Sequence, residues 1–359
     1  MLSPGQLLQR FRSGGKTKNL ETTIELESGR LTNTRQITVK RRDTIEDIAG
    51  QRLFRRKPQG IAAALLPYET DGRVAVEFFQ NHLIATQRAG LMNAVNMDTG
   101  YVNLLTEEEK GGVLRWTRDA LGKNVPFVAG AYIENQDGDV VALYRKQIDT
   151  IAACGAVPIL FQTARLHGKS AKEKIDIYRA VCRGYPQVLG FELSPQFAPN
   201  GELFDDMTFR GLMEIPELKG IKHSSLDRLL ELERLALRDK HRADFRIFTG
   251  NDLGINLMEY GSDYLLGLAT FAPEKFAERD RMWERGDPSY YALSDALQHL
   301  GNVAFREPIP AYKHSAAVFL HLTGRIPTDL SHPKNPKRPP WEAEILQDCV
   351  RRLCLPAGL

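Results

Sequence analysis

Lys222 is the residue with the clearest chemical potential. It follows Leu218-Lys219-Gly220-Ile221, a short apolar run that would close on the lysine as a buried strand. A lysine so placed has to find a partner or give up its charge. Without its proton it is an amine that attacks carbonyls to form an imine. The competing reading is a surface or salt-bridged lysine at a strand end. Asp98-Thr99-Gly100 is a tight polar turn after the apolar run Leu91 to Val95. Backbone N–H groups and the Thr99 hydroxyl there would hold a carboxylate, although such a tripeptide is also a common turn. Glu192 closes the run Gln187 to Phe191 and would act as a general acid or base if burial raised its pKa. Pairing with a neighbouring cation is the alternative. His223 and His167 are either proton carriers or structural side chains. The four cysteines, Cys154, Cys182, Cys349 and Cys354, show no Cys-x-x-Cys pair and no zinc-like spacing with histidine. Gly-rich phosphate loops are absent as well. No metal and no cofactor is expected. Cys154 and Cys182 sit in apolar stretches and read as buried free thiols, which suits a reducing compartment.

Short apolar runs alternate with amphipathic stretches from Gly60 onward. Runs at Ile61–Leu66, Leu91–Val95, Val125–Ala129, Ala156–Phe161, Gln187–Phe191, Leu218–Lys222, Phe245–Phe248 and Tyr264–Leu268 are each followed by a helical pattern. The second of these helices opens at Thr106, with Glu109 completing a capping box, and the seventh is expected over Leu253–Tyr260. Eight strand–helix units with near-continuous apolar strands predict an α/β fold, a (β/α)₈ TIM barrel with an N-terminal extension and C-terminal helices. A doubly wound open sheet is the runner-up, and the absence of Gly-x-Gly-x-x-Gly after the first strand speaks against it. The barrel is assigned to residues 59–286. Residues 287–359 form a helical region, with helices over Tyr290–Val303, Tyr312–Leu322 and Trp341–Leu353 and a stiff proline-rich linker at Ser331–Pro340. In such barrels the active site lies at the C-terminal ends of the strands. That rule selects Asn96–Tyr101, Gly130–Tyr132, Phe161–Thr163, Glu192, Lys222–Ser225, Thr249–Asp252 and Leu266–Leu268, of which Asp98, Thr99, Gly100, Tyr132, Glu192, Lys222 and Leu266 are the site candidates and Gly250-Asn251-Asp252 reads as a helix-start turn.

Residues 1–58 differ from the rest, with 13 Lys/Arg against 6 Asp/Glu. Alternation over Thr22–Glu27 and Thr34–Val39 predicts two short strands. The runs Lys40-Arg41-Arg42 and Arg55-Arg56-Lys57 read as a solvated basic face or a subunit contact, with phosphate contacts as the alternative. Over all 359 residues the formal charge is only +3, too small to imply nucleic acid or a membrane as a partner. No apolar stretch long enough for a bilayer span or a signal peptide stands out, so a cytoplasmic protein is expected.

Six short motifs occur in order along this framework. They are Ala64-Leu65-Leu66-Pro67-Tyr68 with Asp71-Gly72; Asp98-Thr99-Gly100 with Leu105-Thr106-Glu107-Glu108-Glu109; Val125-Pro126-Phe127-Val128-Ala129-Gly130; Gly220-Ile221-Lys222-His223-Ser224-Ser225; Thr249-Gly250-Asn251-Asp252; and Glu307-Pro308-Ile309-Pro310-Ala311-Tyr312-Lys313. Together they make Gly60 to Gly324 resemble the dihydrodipicolinate synthase / N-acetylneuraminate lyase family of class I Schiff-base barrels. The resemblance implies that Lys222 forms the imine, that Thr99 and Gly100 bind a keto-acid carboxylate, and that Leu266 offers its backbone near the substrate. It also implies a homo-oligomer, a dimer or tetramer. Departures are equally visible. Asp98 replaces the family's first signature threonine, and Tyr101 replaces the signature glutamate. The strand-four tyrosine that moves the proton falls near Thr163, and the arginine of true dihydrodipicolinate synthases is not evident. Dihydrodipicolinate synthesis and sialic acid cleavage are both disfavoured on that account. Asp98, Glu192 and Tyr132 are the candidates for the missing acid/base. The expected function is a lyase acting on a 2-keto acid, by aldol cleavage, condensation or dehydration, through a Lys222 Schiff base. The alternative is a barrel that binds a keto acid or sugar acid without turnover.

Overall fold

A computed structural model describes residues 50–356. The strands expected within residues 1–49 lie outside the described residues. Eight parallel strands close into a barrel in sequence order: β1 (Gly60–Ala63), β2 (Met92–Val95), β3 (Val128–Ala131), β4 (Val157–Leu160), β5 (Val188–Leu193), β6 (Leu218–Ser224), β7 (Arg246–Thr249) and β8 (Asp263–Leu266). Closure rests on β1, which pairs with β2 on one side and β8 on the other. The open doubly wound sheet is therefore not formed.

The strands read as continuous apolar runs because both of their faces are buried. Ile61, Ala63, Ala94, Val128, Ile159, Phe161, Leu189, Phe191, Phe248 and Leu265 fill the interior as one cluster. Alternate residues such as Ala62, Val95, Ala129, Leu160 and Leu266 point outward into the larger cluster beneath the helices. Helices α1 (Val76–Ala89), α2 (Glu107–Leu121), α3 (Val140–Ala153), α4 (Ala171–Cys182), α5 (Asp206–Met213), α6 (Arg228–His241) and α7 (Pro273–Arg285) form the outer layer. Five of the seven start on side-chain caps: Thr106 and Ser170 each form a capping box, with Glu109 and Glu173, while Asp139, Asp205 and Asp227 accept from the first turn. Each such cap is worth about 1 kcal/mol.

Two details depart from expectation. The segment after β7 is a six-residue 3₁₀ turn, Ile255–Tyr260, between Gly254 and Gly261, and not a helix. Gly261 takes a left-handed φ of 108° and stops the turn before a helix can propagate. The β5–β6 ladder also slips by one residue. Val188 faces Leu218, but Leu189 faces Gly220, so Lys219 is an extra, exposed residue in β6.

Beyond the barrel, α8 (Ser289–Ala304), α9 (Tyr312–Leu322) and α10 (Glu342–Arg352) pack as a helical group. The proline-rich stretch is pinned by Arg338, whose guanidinium donates to the carbonyls of Ala304, Arg306 and Glu307. At the N-terminal end of the barrel, Arg56 is paired with Asp263 at 2.8 Å and Arg52 with Glu259 at 2.7 Å. Part of the basic N-terminal segment thus closes the barrel floor. Cys182 and Cys349 are buried free thiols, Cys154 is partly buried and Cys354 is exposed. Among the described residues no helix is long and apolar enough to cross a membrane.

Candidate active site

Lys222 lies on the inner face of β6, in register with Phe191 of β5 and Phe248 of β7. Its Nζ sits 4.2 Å from the centroid of the Phe191 ring, and the side chain is buried. Burial pushes the ammonium down to about 8, with Asp252 and Asp98 pulling in the opposite direction. Among the described residues no salt bridge or hydrogen bond holds Nζ, so the amine is available to react. Space for it is reserved by Gly250 at the end of β7. A Cβ there would come within 2.6 Å of Lys222 Cε and would overlap Ser224 Oγ. Ser224 follows Lys222 on the same face, and its hydroxyl is buried without a partner among the described residues. Asp252 completes this side. Its Oδ1 accepts the Leu268 N–H at 2.7 Å, and burial raises its pKa to about 7 against the pull of that hydrogen bond and of Lys222. Asp252 also lines a narrow cleft with Phe197, Leu226, Leu253, Phe305 and Ile309.

Asp98, Thr99 and Gly100 form a single 3₁₀ turn after β2. The Gly100 and Tyr101 N–H groups are consumed within the turn, donating to Met97 O at 3.0 Å and Asp98 O at 2.9 Å. The anion-binding capacity expected of this backbone is reduced accordingly. The side chains are joined to α9. Tyr312 donates its hydroxyl to Asp98 Oδ2 at 2.9 Å and lies 2.9 Å from Thr99 Oγ1. Lys313 holds Asp98 Oδ1 at 3.1 Å. Burial works to raise the Asp98 pKa, but Lys313 and Tyr312 outweigh it and keep the carboxylate below its usual range. Tyr312 itself is pushed well above an ordinary phenol by burial and by Asp98. The close approach requires Gly267 after β8, where a Cβ would lie 3.1 Å from both Thr99 Oγ1 and the Tyr312 ring.

Glu192 does not reach Lys222. Phe191 takes the inward position beside the lysine, so the next residue must face outward. There its carboxylate is fully buried between His223 Nδ1 at 2.6 Å and Arg234 Nη2 at 2.8 Å, and it also accepts the Phe204 N–H at 2.8 Å. Burial opposes ionisation, yet His223 and Arg234 hold the group down at about 2. Such a carboxylate is a fixed anion and a poor proton carrier, so the acid/base expected there is not supplied by Glu192. His223 is held at its two ring nitrogens by Glu192 and by Ser225 Oγ, the latter at 2.7 Å. His167 lies 3.3 Å from the Asn200 carbonyl and is not part of the Lys222 group.

The chain is 25% identical to 4-hydroxy-tetrahydrodipicolinate synthase of Sodalis glossinidius (strain morsitans) over 270 residues, covering 70% of this chain and 84% of that protein. That likeness accords with the six ordered motifs inside a closed barrel. The chain is similar to the dihydrodipicolinate synthase family, at a divergent level of identity. No family model matches it. Among solved structures, the dihydrodipicolinate synthase of Thermotoga maritima superposes with a TM-score of 0.71 at 17% identity, covering 83% of this chain and 99% of that one. A prophage protein of the dihydrodipicolinic acid synthase family from E. coli K12, in complex with pyruvate, gives 0.71 at 16% identity, with the same 83% and 99% coverage. These two likenesses speak to the fold.

At the positions where this chain departs from the dihydrodipicolinate synthase family pattern, its side chains have other work. Thr163 is buried, and its hydroxyl accepts the Arg165 N–H at 3.4 Å as cap of the turn Ala164–Leu166. Tyr101, in a left-handed conformation at φ 60°, packs its ring against Tyr68 and His332. Tyr132 stands edge-on to Phe161 at 5.6 Å, and burial and Glu134 raise its phenol to about 12. The Leu266 side chain faces the helices, which leaves only its backbone toward the interior. Asp252, Ser224, Tyr312 and Lys313 were not singled out from sequence. Asp252 carried a signal, an acid at a strand's C-terminal end, but its turn-like neighbours masked it.

Proposed function

We propose that this protein is a class I lyase that forms an imine between Lys222 and a 2-keto acid. The observation that carries the reading is Lys222 itself, a buried amine without a fixed counter-ion on the inner face of β6, pushed down to about 8. At pH 7 such an amine is about one-tenth neutral, whereas an unperturbed lysine is neutral in only about one molecule in a few thousand. Its Nζ attacks the keto carbon, water leaves, and the protonated imine becomes the electron sink for a carbanion at the neighbouring carbon. Asp98 and Asp252 lie close enough to favour the cationic imine electrostatically. The Thr99 turn is the site assigned to the substrate carboxylate. Aldol cleavage or condensation, or dehydration, uses the same intermediate. Pyruvate, bound by the E. coli relative, is the first substrate to try.

Incubation with pyruvate, reduction by borohydride and intact-mass measurement test this. One adduct per chain is expected, located on Lys222 and absent in Lys222→Ala. An adduct that persists in Lys222→Ala, or none with any keto acid, removes the reading. An adduct without turnover of any aldehyde partner would instead support a binding barrel.

A further inference from the structure

The end of the barrel opposite Lys222 carries a cavity that the imine chemistry does not use. It holds about 480 Å³ and lies where β1, β2 and β7 begin, with Gly60, Met92 and Arg246 on its wall. That volume falls among small-molecule pockets, about 300–1,000 Å³. In such barrels this face serves stability, and a purely stabilising role favours packing over a void. Leu91 and Met92 supply apolar surface, and no aspartate or glutamate lines the cavity. Two cations do. Lys57 is exposed and ion-paired with no described residue. Arg246 is held through Nη1 by Asp263 Oδ2 at 2.5 Å, and its other N–H groups have no partner among the described residues. Asp263 is already occupied, because its Oδ1 accepts from Arg56 Nη1 and from the Gln59 N–H, both at 2.8 Å. Three cations, Arg56, Lys57 and Arg246, thus stand against one shared carboxylate, which leaves positive charge in excess.

The polar side chains beside these cations are unspent. Gln59 and Gln87 line the cavity half-buried, and neither side-chain amide has a hydrogen-bond partner among the described residues. Each amide can donate two hydrogen bonds and accept at its oxygen. Gln59 is positioned by its backbone, whose N–H goes to Asp263 and whose carbonyl accepts the Tyr264 N–H at 3.1 Å. Gln87 stands in the last turn of α1. We propose that this cavity at the barrel floor is a binding site for a small organic anion. Its carboxylate or phosphate sits between Lys57 and Arg246, its apolar body lies along Leu91 and Met92, and the Gln59 and Gln87 amides fix its polar edge. The planar guanidinium of Arg246, with one side spent on Asp263, offers the rest of its fork to either oxyanion. Cations alone would attract any anion to the surface; the two amides and the apolar wall give the site its selectivity. No bond is made or broken there, and the site stands independently of the Lys222 imine.

Benzoate and phenyl phosphate are the probes, with benzamide as the neutral counterpart of benzoate. Binding to the full-length protein is read by saturation-transfer NMR and by calorimetric titration. Both anions are expected to bind about tenfold or more tightly than benzamide, with affinity falling as salt rises. Lys57→Glu should weaken them about tenfold, and Lys57→Arg should hold them within about threefold of the wild type. Gln87→Leu keeps the size and the charge but removes the amide, and should weaken them about three- to tenfold. Neither side chain holds another group among the described residues, so each variant should melt within a few degrees of the wild type. Lys222→Ala should bind both anions as the wild type does. Benzamide binding as well as benzoate, no binding of either anion at millimolar concentration, or anion binding unchanged in Lys57→Glu overturns the proposal. So does binding lost in Lys222→Ala, which would move the anion to the other end of the barrel. Binding unchanged in Gln87→Leu overturns it too, by reducing the cavity to a diffuse basic surface.

Discussion

On the inner face of the β5–β6 pair an amine lies against the Phe191 ring with no fixed counter-ion. On the outer face of the same two strands, one residue further along, a carboxylate is locked between an imidazole and a guanidinium. Both groups are buried and ionisable, and burial works against the charge of both. On the inside that cost is left largely unrelieved and appears as a lowered lysine pKa, which is reactivity. On the outside it is offset by two cations and a backbone N–H, which is stability. Burial of a titratable group is thus no guide to function until its partners are counted.

The largest expected effect that separates the two faces is on the outer one. Glu192→Gln leaves buried Arg234 with only the exposed Asp206, at 3.2 Å, as counter-charge and should cost about 3 kcal/mol. Denaturant unfolding measures this, and the folded fraction should still trap pyruvate on Lys222. Loss of trapping in folded Glu192→Gln would merge the two faces into one site. The same pair carries a pH signature. The folded Glu192 pKa is depressed, so its stabilisation is complete above the unfolded value of about 4.3 and is lost as pH falls towards 2. His223 is raised by Glu192, against the effect of burial, so its share is complete below about 6.5 and drains as pH climbs through the folded value. Glu192→Gln should flatten both limbs of the stability profile.

A smaller effect is expected on the inner face from Gly250→Ala. The new methyl falls within 2.6 Å of Lys222 Cε and has to displace it. Overpacking of this kind costs about 1–3 kcal/mol. Adduct formation, followed by time-resolved trapping, should slow by more than the stability change alone would suggest, because the amine is moved from its position over Phe191. Ser224→Ala is the mildest. It removes a buried hydroxyl with no protein partner, so stability should change by less than about 1 kcal/mol or rise slightly. A loss of affinity for the keto acid, read by titration, would assign that hydroxyl to the ligand.

Much of the barrel was legible because apolar runs at strand length and amphipathic stretches at helical period leave little choice of architecture. The helix expected after β7 failed because Gly254 and Gly261 limit the segment to a short turn. Lys222 was legible from its neighbours and from the strand-end rule. Glu192 obeyed the same rule yet faces the other way, since a strand's final residues can lie on either side and the apolar run before it is buried on both. Tyr312 was hidden for a different reason. It lies 213 residues from Thr99 and 214 from Asp98 in sequence, and its helix begins outside the eight units, so no local pattern brings the three together. Asp252 was obscured by the turn-forming residues around it.

The one-residue slip at Lys219 has a consequence for all of this. Before it, Leu218 points outward; after it, Gly220, Lys222 and Ser224 point inward. Were Lys219 taken into the regular ladder, strict alternation from Leu218 would turn Lys222 towards the helices and His223 into the mouth. The bulge at Lys219 therefore sets the frame of β6, in the way a skipped letter leaves every later word readable. Its own side chain is exposed, yet its exclusion from the ladder decides which of two adjacent residues faces the barrel interior.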